Sequence, residues 1–237
     1  MAETSKVALI TGASQGIGAA LVAGLRAQNY RIVANSRRID PSTDPDVVTV
    51  RGDVADPATA RSMVDAALDR FGRIDTLVNN AGVFVSKGFV DFTAEDYAAV
   101  AATNLTGFFH VSQQALAVML RQGSGHIVSM TTSLADQPIA GVPAALNALT
   151  KGGLNAVTRS LAIEYAQTGV RVNAVSLGII DTPMHADGDH GFLAGLHPIG
   201  RMGDVDEVVE AVRYLDAATF ITGEVLHLDG GAHAGRW

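Results

Sequence analysis

Short runs rich in β-branched residues alternate with long helical patterns along the chain, and this alternation constrains the fold more than any other feature. Strand patterns fall at 7–10, 31–35, 47–50, 76–78, 126–130, 170–175 and 224–228, and helical patterns at 17–28, 58–71, 94–121, 143–167 and 205–215. Such alternation builds βαβ units with right-handed crossovers, so a doubly wound parallel sheet of about seven strands is expected, with helices on both faces. No linker, low-complexity stretch or solenoid-period repeat intervenes, and the 237 residues read as a single domain, 1–237. The segment 181–203 breaks the alternation. Rich in Gly, His, Asp and Pro and without a clear period, it is expected to be a functional loop, a lid over the substrate.

Hydrophobic residues make up 48% of the chain and charged residues 17%, which excludes disorder and suits a sheet buried on both faces. Cysteine is absent. That excludes disulfides, thiolate metal ligands and thiol nucleophiles, and it fits a reducing compartment. The net charge is −7 and no basic run occurs, so neither nucleic acid nor an anionic membrane is expected as a partner. No apolar run approaches the roughly 20 residues of a bilayer span. The start, MAETSK, lacks the basic-then-apolar pattern of a signal peptide, and a cytoplasmic protein is the expectation. The stretches 98–120 and 144–166 are apolar around most of the helix circumference, which points to a subunit interface over packing inside one thick monomer.

The first strand pattern runs directly into Thr11-Gly12-Ala13-Ser14-Gln15-Gly16-Ile17-Gly18 and then into a helix. In this context the glycines differ in what they allow. Gly12 permits the tight turn, Gly16 lets backbone amides approach a pyrophosphate, and Gly18 lets helix and strand pack closely. The helix N-terminus offers free N–H groups to phosphate. A Rossmann-like dinucleotide site follows.

These residues, with four further elements, resemble the classical short-chain dehydrogenase/reductase (SDR) family over nearly the whole chain. Asp53-Val54 resembles the pair that contacts adenine. Asn79-Asn80-Ala81-Gly82 is the family's NNAG element, and Asn104 matches its structural asparagine. Gly178 to Thr182, with Ile180 between, resembles the segment beside the nicotinamide, although Leu177 stands where proline is usual. The resemblance implies a nicotinamide dinucleotide as cofactor, a small-molecule substrate and a homotetramer. At the ribose end, NAD sites place a carboxylate and NADP sites a cation. Here Ser36 takes the acid's position and Arg37 and Arg38 follow it, with neutral Gln15 in the glycine loop. A guanidinium pairs bidentately with a 2′-phosphate, so NADP(H) is favoured over NAD(H), with Arg37 as the principal ligand; a solvated basic turn is the alternative.

The family reduces carbonyls with a Ser–Tyr–Lys set in which tyrosine and lysine form YxxxK. Lys151 matches the lysine, but four residues earlier stands Asn147, and no tyrosine lies nearby. The amide does not titrate, so it cannot be a general acid; it can orient a carbonyl or water, or bond the ribose or Lys151. Pro143 is expected in the first helical turn, keeping Asn147 and Lys151 on one face. Counted from the fifth strand pattern, the family serine falls on Thr132, with Ser133 next. Counting back from Lys151 lands about two residues later, so an insertion is expected in 136–142, and either hydroxyl can equally be a strand-end cap. Histidine titrates near neutrality, so His185, His190 or His197 of the late segment can supply a proton. The run from His185 to His190 can also be read as metal ligands, but no metal is expected because such polar loops are usually just solvated.

Two functions remain. One is an NADP(H)-dependent oxidoreductase acting on a small carbonyl or alcohol, with an altered proton-donor site. The other is a dinucleotide-binding sensor, regulator or partner subunit without redox catalysis.

Overall fold

The computed structural model describes residues 5–235, so part of the N-terminal segment read above, residues 1–4, lies outside the described residues. Seven strands, β1 (Val7–Thr11), β2 (Arg31–Ser36), β3 (Val47–Arg51), β4 (Thr76–Asn79), β5 (Gly125–Thr132), β6 (Val170–Leu177) and β7 (Val225–Leu228), form one sheet in the order β3-β2-β1-β4-β5-β6-β7. All six pairings are parallel. The strand order reverses between β1 and β4, and ligands of open α/β sheets bind at the carboxyl ends of the strands beside such a reversal. Strands β1 and β4 are buried throughout, whereas the edge strand β3 is only partly so. That is the gradient expected of a parallel sheet covered on both faces.

The helices are α1 (Gly16–Arg26), α2 (Pro57–Phe71), α3 (Ala94–Ala101), α4 (Phe108–Gln122), α5 (Ala145–Glu164), α6 (His190–Gly195) and α7 (Val205–Ala217). One core layer joins Met63 and Val64 of α2, Val111, Ala115 and Met119 of α4, and Ala162 of α5 to Leu9, Leu77 and Ile127 of the sheet. The opposite layer joins Leu21 and Leu25 of α1 with Val208, Val212 and Leu215 of α7 onto Ile10, Ile32 and Val175. Caps set several boundaries. Asp56 accepts from Ala58 N with Pro57 in the first turn of α2, and Thr93/Asp96 and Asp204/Glu207 form reciprocal capping boxes on α3 and α7.

Three expectations need correction. The pattern at 94–121 is helical throughout but not one α-helix: a π turn, Ala102–Gly107, separates α3 from α4. Such turns concentrate at functional sites, and this one carries Asn104. Pro143 lies outside α5, which starts at Ala145 with Ala144 as its N-cap, so the chain turns into the helix one residue after the proline. The segment 181–203 is not irregular throughout, because it holds the 3-10 turn Pro183–His185 and α6, and a parallel bridge from Ile180 to Gly203 ties its two ends together.

At the amino ends of the strands, Asp216 is buried and accepts from Lys6 Nζ at 2.7 Å, from Thr76 Oγ1 at 2.7 Å and from the Tyr30 hydroxyl, with His126 Nδ1 at 3.3 Å. Burial alone raises a carboxyl, but the hydrogen bonds from His126, Lys6, Tyr30 and Thr76 reverse that and hold Asp216 ionised far below the usual carboxylate range. His126, which shows no ligand-like spacing in the sequence, belongs to this structural network. No helix of the described residues is long and apolar enough to cross a membrane.

Candidate active site

The first turn after β1 is locked to the turn after β4. Thr11 Oγ1 accepts from the backbone N–H groups of Asn80 and Ala81, both at 3.0 Å, and Asn80 Nδ2 donates to the carbonyls of Thr11 at 2.9 Å and Gly12 at 3.1 Å. Gly12 has φ +66, and a Cβ there would lie 2.9 Å from Ala81 Cα. A Cβ on Gly18 would lie 2.1 Å from the Gly12 carbonyl oxygen. Both glycines are therefore enforced by close approach, and they leave a bare backbone cradle at the start of α1.

A cleft of ≈ 340 Å³ opens over this cradle. Gly12, Ser14, Gln15, Gly16, Ile17, Gly18, Ser36, Arg37, Asp53, Val54, Asn80, Ala81, Gly82, Thr132, Asn147, Lys151, Gly178, Ile180 and Thr182 all line it, so most of the expected site residues meet in one place. Arg38, Asn104 and Ser133 do not line it. Arg38 is exposed beyond the rim, and its backbone N–H reaches Ser36 Oγ at 3.4 Å. Asn104 stands behind the wall, with Oδ1 accepting from Val83 N at 2.9 Å and Nδ2 donating to Val83 O at 3.1 Å and to Thr150 Oγ1 at 3.2 Å. Ser133 is buried, and Thr132 Oγ1 accepts from Leu134 N at 3.4 Å as a cap.

At the β2 end, the hydroxyls of Ser14 and Ser36 lie 2.9 Å apart, and no carboxylate stands at that position. Arg37 is exposed on the rim. A cation and two hydroxyls at one end of the cleft, with the glycine cradle beside them, are groups that a dinucleotide's ribose and phosphates take.

At the other end, Lys151 Nζ donates to the Met130 carbonyl at 2.6 Å, and a Cβ on Gly82 would lie 3.0 Å from it. Burial pushes this ammonium down to about 8. Asn147, 1% exposed, donates from Nδ2 to the Val85 carbonyl at 2.7 Å, while its Oδ1 is buried without a hydrogen-bond partner. The tether holds the segment after β4 against α5. His185 lines the cleft with Nδ1 2.9 Å from the Ile180 carbonyl oxygen. His197 is buried instead: Nε2 accepts from Ile179 N at 2.9 Å, and burial pushes the ring below the usual histidine range. It supports the Gly178 turn, where a Cβ would lie 2.6 Å from that nitrogen. Sequence reasoning gave neither Val85 nor His197 this positioning role, since each acts through a contact distant along the chain. Among the described residues no three His, Asp or Glu side chains converge as a metal site would require.

The parallel sheet, its reversal point and the glycine cradle define a dinucleotide-binding α/β protein. Comparison with known proteins narrows the class. The family described as enoyl-(acyl carrier protein) reductase matches residues 12–233. The 3-oxoacyl-(acyl-carrier-protein) reductase of Synechocystis sp. is 34% identical over 242 residues, covering 96% of this chain and 97% of its own. A gluconate 5-dehydrogenase from Burkholderia cenocepacia, solved with NADP and tartrate, superposes with TM-score 0.88 at 29% identity over 99% of this chain and 97% of its own. A 3-ketoacyl-(acyl-carrier-protein) reductase from Brucella melitensis, solved with NADH, superposes with TM-score 0.89 at 27% identity over 98% of this chain and 100% of its own. The chain belongs to the short-chain dehydrogenase/reductase family, whose relatives here are NAD(P)-dependent oxidoreductases.

Proposed function

We propose that this protein is an NADP(H)-dependent oxidoreductase, interconverting a small carbonyl compound and its alcohol, with a proton-donor site unlike its family's. The observation that carries this reading is the continuity of one cleft from the glycine cradle and Arg37 to the Lys151 ammonium.

When bound, the dinucleotide supplies or accepts the hydride. Everything else falls to the chain. Gly12, Gly16 and Gly18 let backbone donors approach the pyrophosphate, Asp53 and Val54 face the adenine end, and Arg37 pairs with the 2′-phosphate. Ile180 and Thr182 flank the nicotinamide end, and Lys151 holds its ribose. Asn104, through Val83 and Thr150, keeps the wall behind Lys151 in position. Val83, Phe84, Leu134, Leu177, Ile179 and Met184 line the same cleft, which favours a substrate with an apolar body. The acyl-chain carbonyl compounds in the names of the relatives fall within that class. The chain works as a single domain with 181–203 as its lid, in the cytoplasm, as a homotetramer.

A second reading, a dinucleotide-binding regulator without turnover, is favoured by one observation: the amide of Asn147, which the resemblance aligns with the family's tyrosine, donates to the Val85 carbonyl. The separating experiment is NADPH oxidation over a broad panel of ketones and aldehydes. Steady turnover that Lys151→Ala abolishes supports the enzyme. Tight NADPH binding with no turnover on any member supports the regulator.

A further inference from the structure

Carbonyl reduction adds a hydride to carbon and a proton to oxygen. Among the described residues no tyrosine lines the cleft, so the proton needs another source. Four side chains with charged or titratable ends line it: Arg37, Asp53, Lys151 and His185. Arg37 and Asp53 belong to the β2–β3 end, and a guanidinium does not release its proton in a protein. Lys151 donates to Met130 O and is the ribose ligand of the reading above, which leaves His185 as the candidate donor.

The posture of His185 is specified. Its backbone N–H donates to the Thr182 carbonyl at 2.9 Å, and its own carbonyl accepts from Gly188 N at 3.0 Å. Its Nδ1 lies 2.9 Å from the Ile180 carbonyl oxygen, which can only accept. Nδ1 therefore carries a proton in both charge states, and the proton that comes and goes is on Nε2. The residue is partly exposed at the cleft, so solvent can recharge it. Around it, Lys151, Asp53 and Arg37 are the charges lining the cleft, and Asp181, Asp187 and Asp189 share its segment, Asp189 being engaged as the cap of α6 through Gly191 N and Phe192 N.

We propose that His185 is the catalytic proton donor of this protein, giving the proton on Nε2 to the substrate oxygen. The proposal rests on the oxidoreductase reading above and deepens it. The electrons balance simply: a bound reduced dinucleotide would supply the hydride to the carbonyl carbon, the C=O π pair takes the Nε2 proton as the new O–H bond, and the imidazolium becomes neutral imidazole and regains a proton from solvent. In the oxidative direction the neutral Nε2 accepts the alcohol proton.

The test combines ¹⁵N-histidine NMR of the free protein with the pH dependence of turnover. Signals that vanish in His185→Gln identify the ring. At high pH it is expected as the Nδ1–H tautomer, and the rate of carbonyl reduction is expected to fall with rising pH at the midpoint of that same ring's titration. His185→Gln is expected to lower kcat by on the order of 10²-fold or more, with NADPH affinity by calorimetry unchanged. Turnover that survives His185→Gln, a proton found on Nε2 and not Nδ1 at high pH, or a rate that follows the Lys151 amine would each overturn the proposal while leaving the oxidoreductase reading intact. NADPH bound without turnover on any carbonyl would overturn both.

Discussion

Asn147 donates to the Val85 carbonyl at 2.7 Å across 62 residues of sequence, one helical turn before Lys151. The side chain that the proposed reading aligns with the family's tyrosine is thus a tether between α5 and the segment after β4. Asn147→Tyr restores a phenol beside a cation, and so an acid of lowered pKa. Reduction of a ketone should rise by on the order of 10²-fold and no longer depend on His185. The variant should also be less stable, by about 1–3 kcal/mol, because the Val85 carbonyl loses its donor. An unchanged rate in a folded, NADPH-binding variant would mean that the site is not a reductase lacking only its tyrosine.

In the proposed function, cofactor choice turns on Arg37. NADPH should bind at least tenfold more tightly than NADH, about 1.4 kcal/mol. Arg37→Asp should reverse the order, because a carboxylate repels the 2′-phosphate and accepts from ribose hydroxyls. Arg38, outside the cleft lining, should matter less when replaced by Ala. Equal affinities for the two cofactors in calorimetry would contradict this.

The Lys151 ammonium gives a pH signature in the free protein. Its folded-state value, about 8, lies below the ordinary lysine value of 10.5, so between these two pH values the unfolded chain binds more protons than the folded one. Stability due to this group therefore rises with pH across that window and is flat below it. The difference in Tm between wild type and Lys151→Met should shift in favour of wild type from pH 8 to 10.5. A difference that stays constant would mean that the ammonium is not desolvated.

Outward faces of α4 and α5 carry Phe109, Leu120, Leu149 and Ile163, the last 80% exposed. Phe109 with Leu120, and Leu149 with Ile163, each recur at a helical spacing on one side of their helix, and clustered exposed apolar side chains mark association surfaces. Light scattering at micromolar concentration should find a tetramer, or at least a dimer, and Leu149→Glu with Ile163→Glu should dissociate it. A monodisperse wild-type monomer would refute this.

What the sequence made legible was whatever depends on neighbours along the chain. Each strand pattern lies within a residue or two of its strand, because β-branched runs bounded by turns report their own conformation. The glycine loop was readable partly for the same reason, since Gly12 adopts φ +66 and a Cβ on Gly18 would meet the Gly12 carbonyl, whereas the close approach of Ala81 to Gly12 comes from far along the chain. The π turn at Asn104 was not, because the helical pattern of the sequence continues on both sides of it. Asp216 is joined to Lys6 across 210 residues, and no periodicity encodes such a pairing. In α6, six residues are too few for a helical period to show, and its visible signal is the capping Asp189.

Transfer of the nicotinamide hydride is the central claim, and isotope transfer tests it most directly. The protein is incubated with NADPH deuterated at the transferable C4 position and a panel of aldehydes and ketones, and the products are examined by mass spectrometry. The account predicts deuterium on the carbinol carbon of at least one product, and its loss in Lys151→Ala. NADPH held tightly with no label in any product, even after prolonged incubation, would contradict it.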